Sequence, residues 1–181
     1  AEHLVAWAGP KQWSANTRTS NYASVRQFFE FVWKDDLASN PASVLAPVPR
    51  PAAKPRPAPT ALIERALEDA DERTVFLVRL TAEYGLRIGE AVLVRMEDIF
   101  PDLGGSSLLV HGKGGKERFV PLQPAFADSL AEYCRRQGGG HAFPGNKDGH
   151  LSSHWAGILV RRVLEGPWSA HSLRHRFGTS A

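Results

Sequence analysis

Six of the chain's thirteen prolines fall between Ala46 and Thr60, in the stretch A-P-V-P-R-P-A-A-K-P-R-P-A-P-T. Proline at this density removes backbone N–H donors and fixes φ near the polyproline II value, so the segment is expected to be a semi-rigid extended connector. It divides the chain into a first part, 1–46, a linker, 47–59, and a second part, 60–181. The linker carries Arg50, Lys54 and Arg56 and no acid, a bias that a plain spacer does not need and that suits a strap along a phosphate backbone.

Before the linker, Tyr22, Val25, Phe29 and Val32 recur at three- and four-residue spacing and predict an amphipathic helix over 16–33. Residues 1–8 read as the end of another helix, stopped by Gly9-Pro10, and Asn40-Pro41 closes this part. Two helices in fewer than fifty residues make a poor core, so the first lobe is expected to be small or incomplete. Beyond the linker, Thr60 is placed to cap a helix through Asp69, and Asp71 a second running to Tyr84 that Gly85 ends. A short helix is expected over 88–96, which puts Arg87 at a break between helices. Two apolar segments, 107–111 and 118–122, flank G-K-G-G-K-E and predict a hairpin with a basic tip. Helices follow over 124–136, 152–164 and 169–181, with a glycine joint at 138–140.

Composition excludes several classes. With 43% hydrophobic and 23% charged residues the chain is an ordinary globular sequence. It has no apolar run near the roughly 20 residues of a membrane helix, and its first residues lack the basic and apolar regions of a secretory signal. A single cysteine, Cys134, fits a reducing compartment. The net charge of +3 is unevenly spread: 1–57 is net +3, 58–105 net −5 and 106–181 net +5. Basic ends of this kind attract polyanions by counterion release.

The unusual residues collect in four places: Arg87 and Glu90 in G-L-R-I-G-E, Lys113 and Lys116 in G-K-G-G-K, Trp168, and just after it, in H-S-L-R-H, His171, Arg174 and His175. On a helix the last three share one stripe. His171/His175 and His150/His154 have the separation of helical zinc ligands, but neither pair brings the H-E-x-x-H glutamate and spacing nominates no third ligand. G-K-G-G-K lacks the P-loop spacing and lies between strands. No metal and no cofactor is therefore expected. What remains is two guanidiniums to fork onto phosphate oxygens, a lysine at a hairpin tip to protonate a departing alkoxide, and an imidazole. These are the parts of metal-free phosphodiester transfer.

The strings Y-G-L-R-I-G-E, V-H-G-K-G-G-K-E-R-F-V-P-L and H-S-L-R-H-R-F-G-T-S-A, in this order, closely resemble the tyrosine recombinase, or phage integrase, family, and the resemblance covers nearly the whole chain. It implies a mainly α (α+β) catalytic domain with a small antiparallel sheet, preceded by part of a helical core-binding domain. Arg87 matches the family's first catalytic arginine, Lys113 its hairpin lysine, His171 the histidine of H-x-x-R and Arg174 the second arginine. Glu90 matches the acid that supports the first arginine, and His175 a position of packing support. Arg50, Lys54, Arg56, Lys116 and Arg118 are expected to contact DNA. The implied function is site-specific cutting and rejoining of DNA through a 3′-phosphotyrosyl intermediate, for integration or excision of a viral genome. Its partners would be double-stranded attachment sites and, on DNA, three further copies in a tetramer, in the cytoplasm of a bacterial host.

Two departures qualify the resemblance. The family's nucleophilic tyrosine lies well downstream of H-x-x-R, and Tyr22, Tyr84 and Tyr133 all precede Arg174, so the 181 residues are expected to be a fragment that binds DNA without cutting it, monomeric when free. Tyr84 also replaces the usual threonine of T-G-L-R. The competing readings are a DNA-binding module that never had a nucleophile, a type IB topoisomerase-like protein, and zinc binding.

Overall fold

A computed structural model describes residues 2–34, 40–49 and 57–180. The chain divides into two compact units, Ala1–Lys54 and Pro55–Ala181. The seven residues at 50–56, with Arg50, Lys54 and Arg56, lie outside the described residues.

In the first unit, α1 (Glu2–Ala8) and α2 (Ala15–Val32) occupy the expected stretches. Ser14 caps α2, its Oγ accepting the Thr17 N–H at 3.2 Å. Asn40 opens a structure where the sequence predicted a close: its Oδ1 accepts the Ala42 N–H at 2.8 Å and starts a 3-10 turn, Pro41–Val44. No residue of α2 is buried, and Phe31 on it is 78% exposed.

The second unit is mainly helical with one small antiparallel sheet. Its centre is α4 (Glu72–Ala82), which follows α3 (Thr60–Asp69) and buries Phe76, Leu77, Val78, Leu80 and Ala82. Apolar residues almost all round make a helix that must be covered on every side, and α4 is flanked by α3, α7 and α8. Asp71 caps it as expected, accepting the Thr74 N–H at 2.7 Å. Thr60 does not cap α3; it is the first helical residue, after Pro59, and its hydroxyl accepts from Arg176 Nη1 at 2.6 Å.

The helix expected over 88–96 stops early. Here α5 spans only Ile88–Ala91, because Val94 and Arg95 extend to pair with the segment at 141–142: the Ala142 N–H donates to the Val94 carbonyl at 2.8 Å, and Arg95 bridges His141. The sheet has the order β1-β2-β3, with β1 at Ile99–Asp102, β2 at Gly105–His111 and β3 at Glu117–Leu122. Within the hairpin Val110 faces Arg118 and His111 faces Glu117. Then come α6 (Pro124–Arg136), the short strand β4 (Pro144–Lys147), α7 (Ser153–Val163) and α8 (Ala170–Ser180). An aromatic cluster joins α4 to α6: Tyr84 stacks on Phe126 at 4.5 Å and Phe76 lies 4.7 Å from Tyr133. Cys134 is buried there, its thiol pushed up to about 11 by that burial. Among the described residues no helix is long and apolar enough to cross a membrane.

Candidate functional site

The break after α4 is made by Gly85, at φ +66°, where an L side chain would be strained. It is required a second way, since a Cβ there would stand 2.4 Å from the Phe177 ring of α8. The turn closes as the Leu86 N–H donates to the Leu80 carbonyl at 3.0 Å, and Leu86 is fully buried. Arg87 follows in extended backbone as the N-cap of α5. Three residues on, Glu90 reaches back: its Oε2 accepts the Arg87 N–H at 2.8 Å and its Oε1 accepts from Arg87 Nη1 at 2.8 Å. The i, i+3 spacing of G-L-R-I-G-E therefore fixes the first arginine locally.

Glu90 does more than serve Arg87. Its side chain is only 6% exposed, and Arg118 of β3 forks onto it, Nη2 to Oε2 at 2.8 Å and Nη1 to Oε1 at 3.2 Å. Arg174 of α8 brings Nη1 to 3.7 Å from Oε2 while donating to the Gly85 carbonyl. Burial works to raise the Glu90 pKa, and the hydrogen bonds from Arg118 and Arg87 overcome it, holding the carboxyl at about 2. Burial and the charge of Arg87 press the Arg174 guanidinium below its ordinary value, yet an arginine stays protonated. Three cations around one anion leave a surplus of two positive charges. That is the complement of a phosphodiester gaining charge as it is attacked.

Lys113 approaches from the hairpin. At its tip the Gly112 N–H donates to the Lys116 carbonyl at 2.6 Å, and Gly114 and Gly115 take φ of +76° and +71°. Lys113 and Lys116 are exposed and line, with Arg87, Glu90, His111 and Arg118, a cleft of about 930 Å³. Below the tip His111 clasps the two strands. Its Nε2 lies 2.9 Å from Oδ1 of buried Asp98 and its Nδ1 lies 3.1 Å from Glu117 Oε1, and the Asp98 hydrogen bond raises its pKa.

The four residues expected around one anion are thus unequally placed. Arg87 and Arg174 meet on Glu90, and Lys113 shares the cleft with Arg87. His171 lies one helical turn before Arg174 on α8 and is exposed, its Nε2 2.8 Å from His175 Nε2. His175 is exposed too, its ring edge-on to His171 at 4.3 Å. Of the second histidine pair, His150 is buried with Nδ1 2.8 Å from the Leu151 carbonyl, and His154 is exposed. Among the described residues no group of three His, Cys, Asp or Glu side chains is disposed to hold a metal. Tyr84 and Tyr133 are core residues, so neither offers its ring to the cleft, and Tyr84 fills the position of the usual threonine by stacking on Phe126.

Sequence reasoning placed Arg118 on DNA and missed its fork to Glu90. The signal was the strand period of two. Arg118, Val120 and Leu122 share a face, and Leu122 is buried, so Arg118 points inward with it.

The family model described as the phage integrase family matches residues 60–180. A tyrosine recombinase XerC of Rhodospirillum centenum is 35% identical over 186 residues, covering 91% of this chain and 54% of that protein. The chain spans about half the length of the curated relatives it matches. Among solved structures, the integrase of mycobacterium phage Brujita aligns with a TM-score of 0.62 and 29% identity over 98% of this chain and 62% of that one. The XerH site-specific recombinase bound to palindromic difH substrate, a post-cleavage complex, aligns with a TM-score of 0.77 at 21% identity, over 98% of this chain and 59% of that one. The last likeness is one of fold.

Proposed function

The chain belongs to the phage integrase family of tyrosine recombinases, and on that premise we propose that it supplies the anion-holding part of a site-specific recombinase that cuts and rejoins double-stranded DNA. The observation that carries this reading is the meeting of Arg87, Arg118 and Arg174 on the buried Glu90, at the edge of a cleft that Lys113 also lines. A tyrosine oxygen would attack the scissile phosphorus while the bond to the 5′ oxygen breaks, leaving a 3′-phosphotyrosyl link that a 5′ hydroxyl later reverses. Arg87 and Arg174 hold and neutralise the phosphate, and Lys113 protonates the leaving 5′ oxygen, a role worth on the order of 10²–10⁴ in rate. His171, adjacent on α8, would join them when DNA is bound. Residues 1–46 act as part of a core-binding lobe, 60–181 as the catalytic domain and 47–59 as the linker, with Arg50, Lys54, Arg56 and Lys116 on the DNA backbone. In the intact protein four copies assemble on DNA.

On this reading the attacking hydroxyl is delivered to the cleft from elsewhere, which is supported by the burial of Tyr84 and Tyr133 in the core and by the place of Tyr22 on α2 in the other unit. The 181-residue chain is therefore expected to bind duplex DNA without forming a covalent adduct. Fluorescence anisotropy across a salt series tests this. Affinity should fall steeply with salt, and Arg87→Ala should flatten the logarithmic slope by about 0.9, the value for one lost phosphate contact. A slope unchanged by both Arg87→Ala and Arg174→Ala would remove phosphate from the cleft and end the proposal.

A further inference from the structure

Arg87 and Arg118 both bond Glu90, but they spend their guanidiniums differently. Arg87 commits one terminal nitrogen to the carboxylate, and its side chain is 66% exposed toward the cleft. Arg118 commits both terminal nitrogens, one to each oxygen, and is 38% exposed. A forked pair of this kind fixes direction as well as charge. Without it, Glu90 would be a nearly buried carboxylate whose hydrogen bonds come from its own helix start, with Arg174 standing off at 3.7 Å. Arg118 also lies on β3, the strand that leaves the Lys113 turn, so its fork ties that strand to α5 across 28 residues of sequence.

We infer that Arg118 is a positioning residue of the anion site: it locks the Glu90 carboxylate, which in turn holds Arg87 toward the cleft and faces Arg174, and it does not itself contact the DNA phosphate. The inference deepens the recombinase reading and rests on it for the identity of the anion. Its chemistry is specific to a guanidinium. A lysine at 118 would keep the charge but offer a single point where the carboxylate needs two parallel donors.

The test uses the full 181-residue chain as Arg118→Met and Arg118→Lys, with Arg87→Ala for comparison. The first measurement is the Glu90 carboxyl titration by carbon NMR, the second the Arg87 side-chain N–H signal, the third the salt dependence of duplex DNA binding. In Arg118→Met the Glu90 midpoint should move from about 2 toward the ordinary 4.5, and the Arg87 signal should broaden as the guanidinium loses its fixed orientation. Arg118→Lys should fail to restore a sharp Arg87 signal, and it supplies the same readouts if the methionine variant does not fold. An unmoved Glu90 midpoint with a sharp Arg87 signal would overturn the inference. So would a salt slope flattened by about 0.9, as for a lost phosphate contact, with Glu90 and Arg87 unperturbed. If Arg87→Ala and Arg174→Ala both leave the salt slope unchanged, the recombinase reading fails by itself, while the Glu90 and Arg87 measurements still decide whether Arg118 positions them.

Discussion

The guanidinium cluster and the lysine hairpin serve one cleft and are built in opposite ways. Around Glu90 each arginine is tied to a buried carboxylate, and Arg174 is tied also to the backbone of the Gly85 turn. Lys113 rides on an exposed turn of glycines closed by the backbone bond between Gly112 and Lys116. The difference fits the work that the proposed function gives to each. Stabilising charge as it develops requires donors already in place, since any reorganisation is added to the barrier. Delivering a proton requires reach, and a side chain on a short loop has it.

The largest effect that sharpens this contrast is expected at Glu90. Glu90→Gln leaves three guanidiniums around a neutral amide and should cost about 3–5 kcal/mol, read from urea unfolding. A loss below about 1 kcal/mol would mean the carboxylate does not hold the cluster. The same group sets an acid limb. Its folded pKa of about 2 lies below the unfolded 4.5, so its stabilisation is complete above pH 4.5 and is lost as pH falls toward 2. The glutamine variant should lack that limb.

Next comes the turn that carries Arg87. Gly85→Ala forces an L residue into φ +66° and a methyl into the Phe177 ring, and should cost about 1–2 kcal/mol from the backbone alone. An unchanged thermal midpoint would mean that neither the left-handed backbone nor the Phe177 ring opposes a side chain there.

The hairpin should respond more weakly. The folded pKa of His111 is raised, chiefly by the hydrogen bond to Asp98. Its contribution is full below the unfolded 6.5 and is lost as pH rises through the higher folded value. With a side chain 40% exposed, that contribution is below about 1 kcal/mol. His111→Gln should abolish this alkaline loss in a stability profile taken from pH 6 to 9. Smallest of all, Lys113→Ala should shift unfolding by no more than about 0.5 kcal/mol. On the proposed function, the same change in a full-length protein should slow strand cleavage in a nicked-substrate assay.

Much of the fold was readable because its signals are local. The bounds of α6 follow from Pro124 at its start and two arginines before the glycines, and the Asp71 cap and the Lys113 hairpin were legible in the same way. β1 escaped because I-F-P-D carries a proline and three exposed positions, so only its pairing with β2 makes it a strand. The site divides likewise. Arg87 and Glu90 lie three apart and declare each other, whereas Arg118 and Arg174 meet Glu90 across separations that no window of sequence spans. The stripe of His171, Arg174 and His175 was legible as a stripe. Which end of it faces the cleft was not, because that depends on how α8 docks against α4.

The fork between Arg118 and Glu90 also orders events during synthesis. Glu90 and Arg87 leave the ribosome together, but the forked partner of the carboxylate comes only with Arg118 on β3, and Arg174 follows 56 residues after Arg118. A nascent chain stalled between these points keeps a hydrated acid where the finished protein has a cationic cluster. The gathering of three guanidiniums on one buried acid is therefore complete only once α8 has been made.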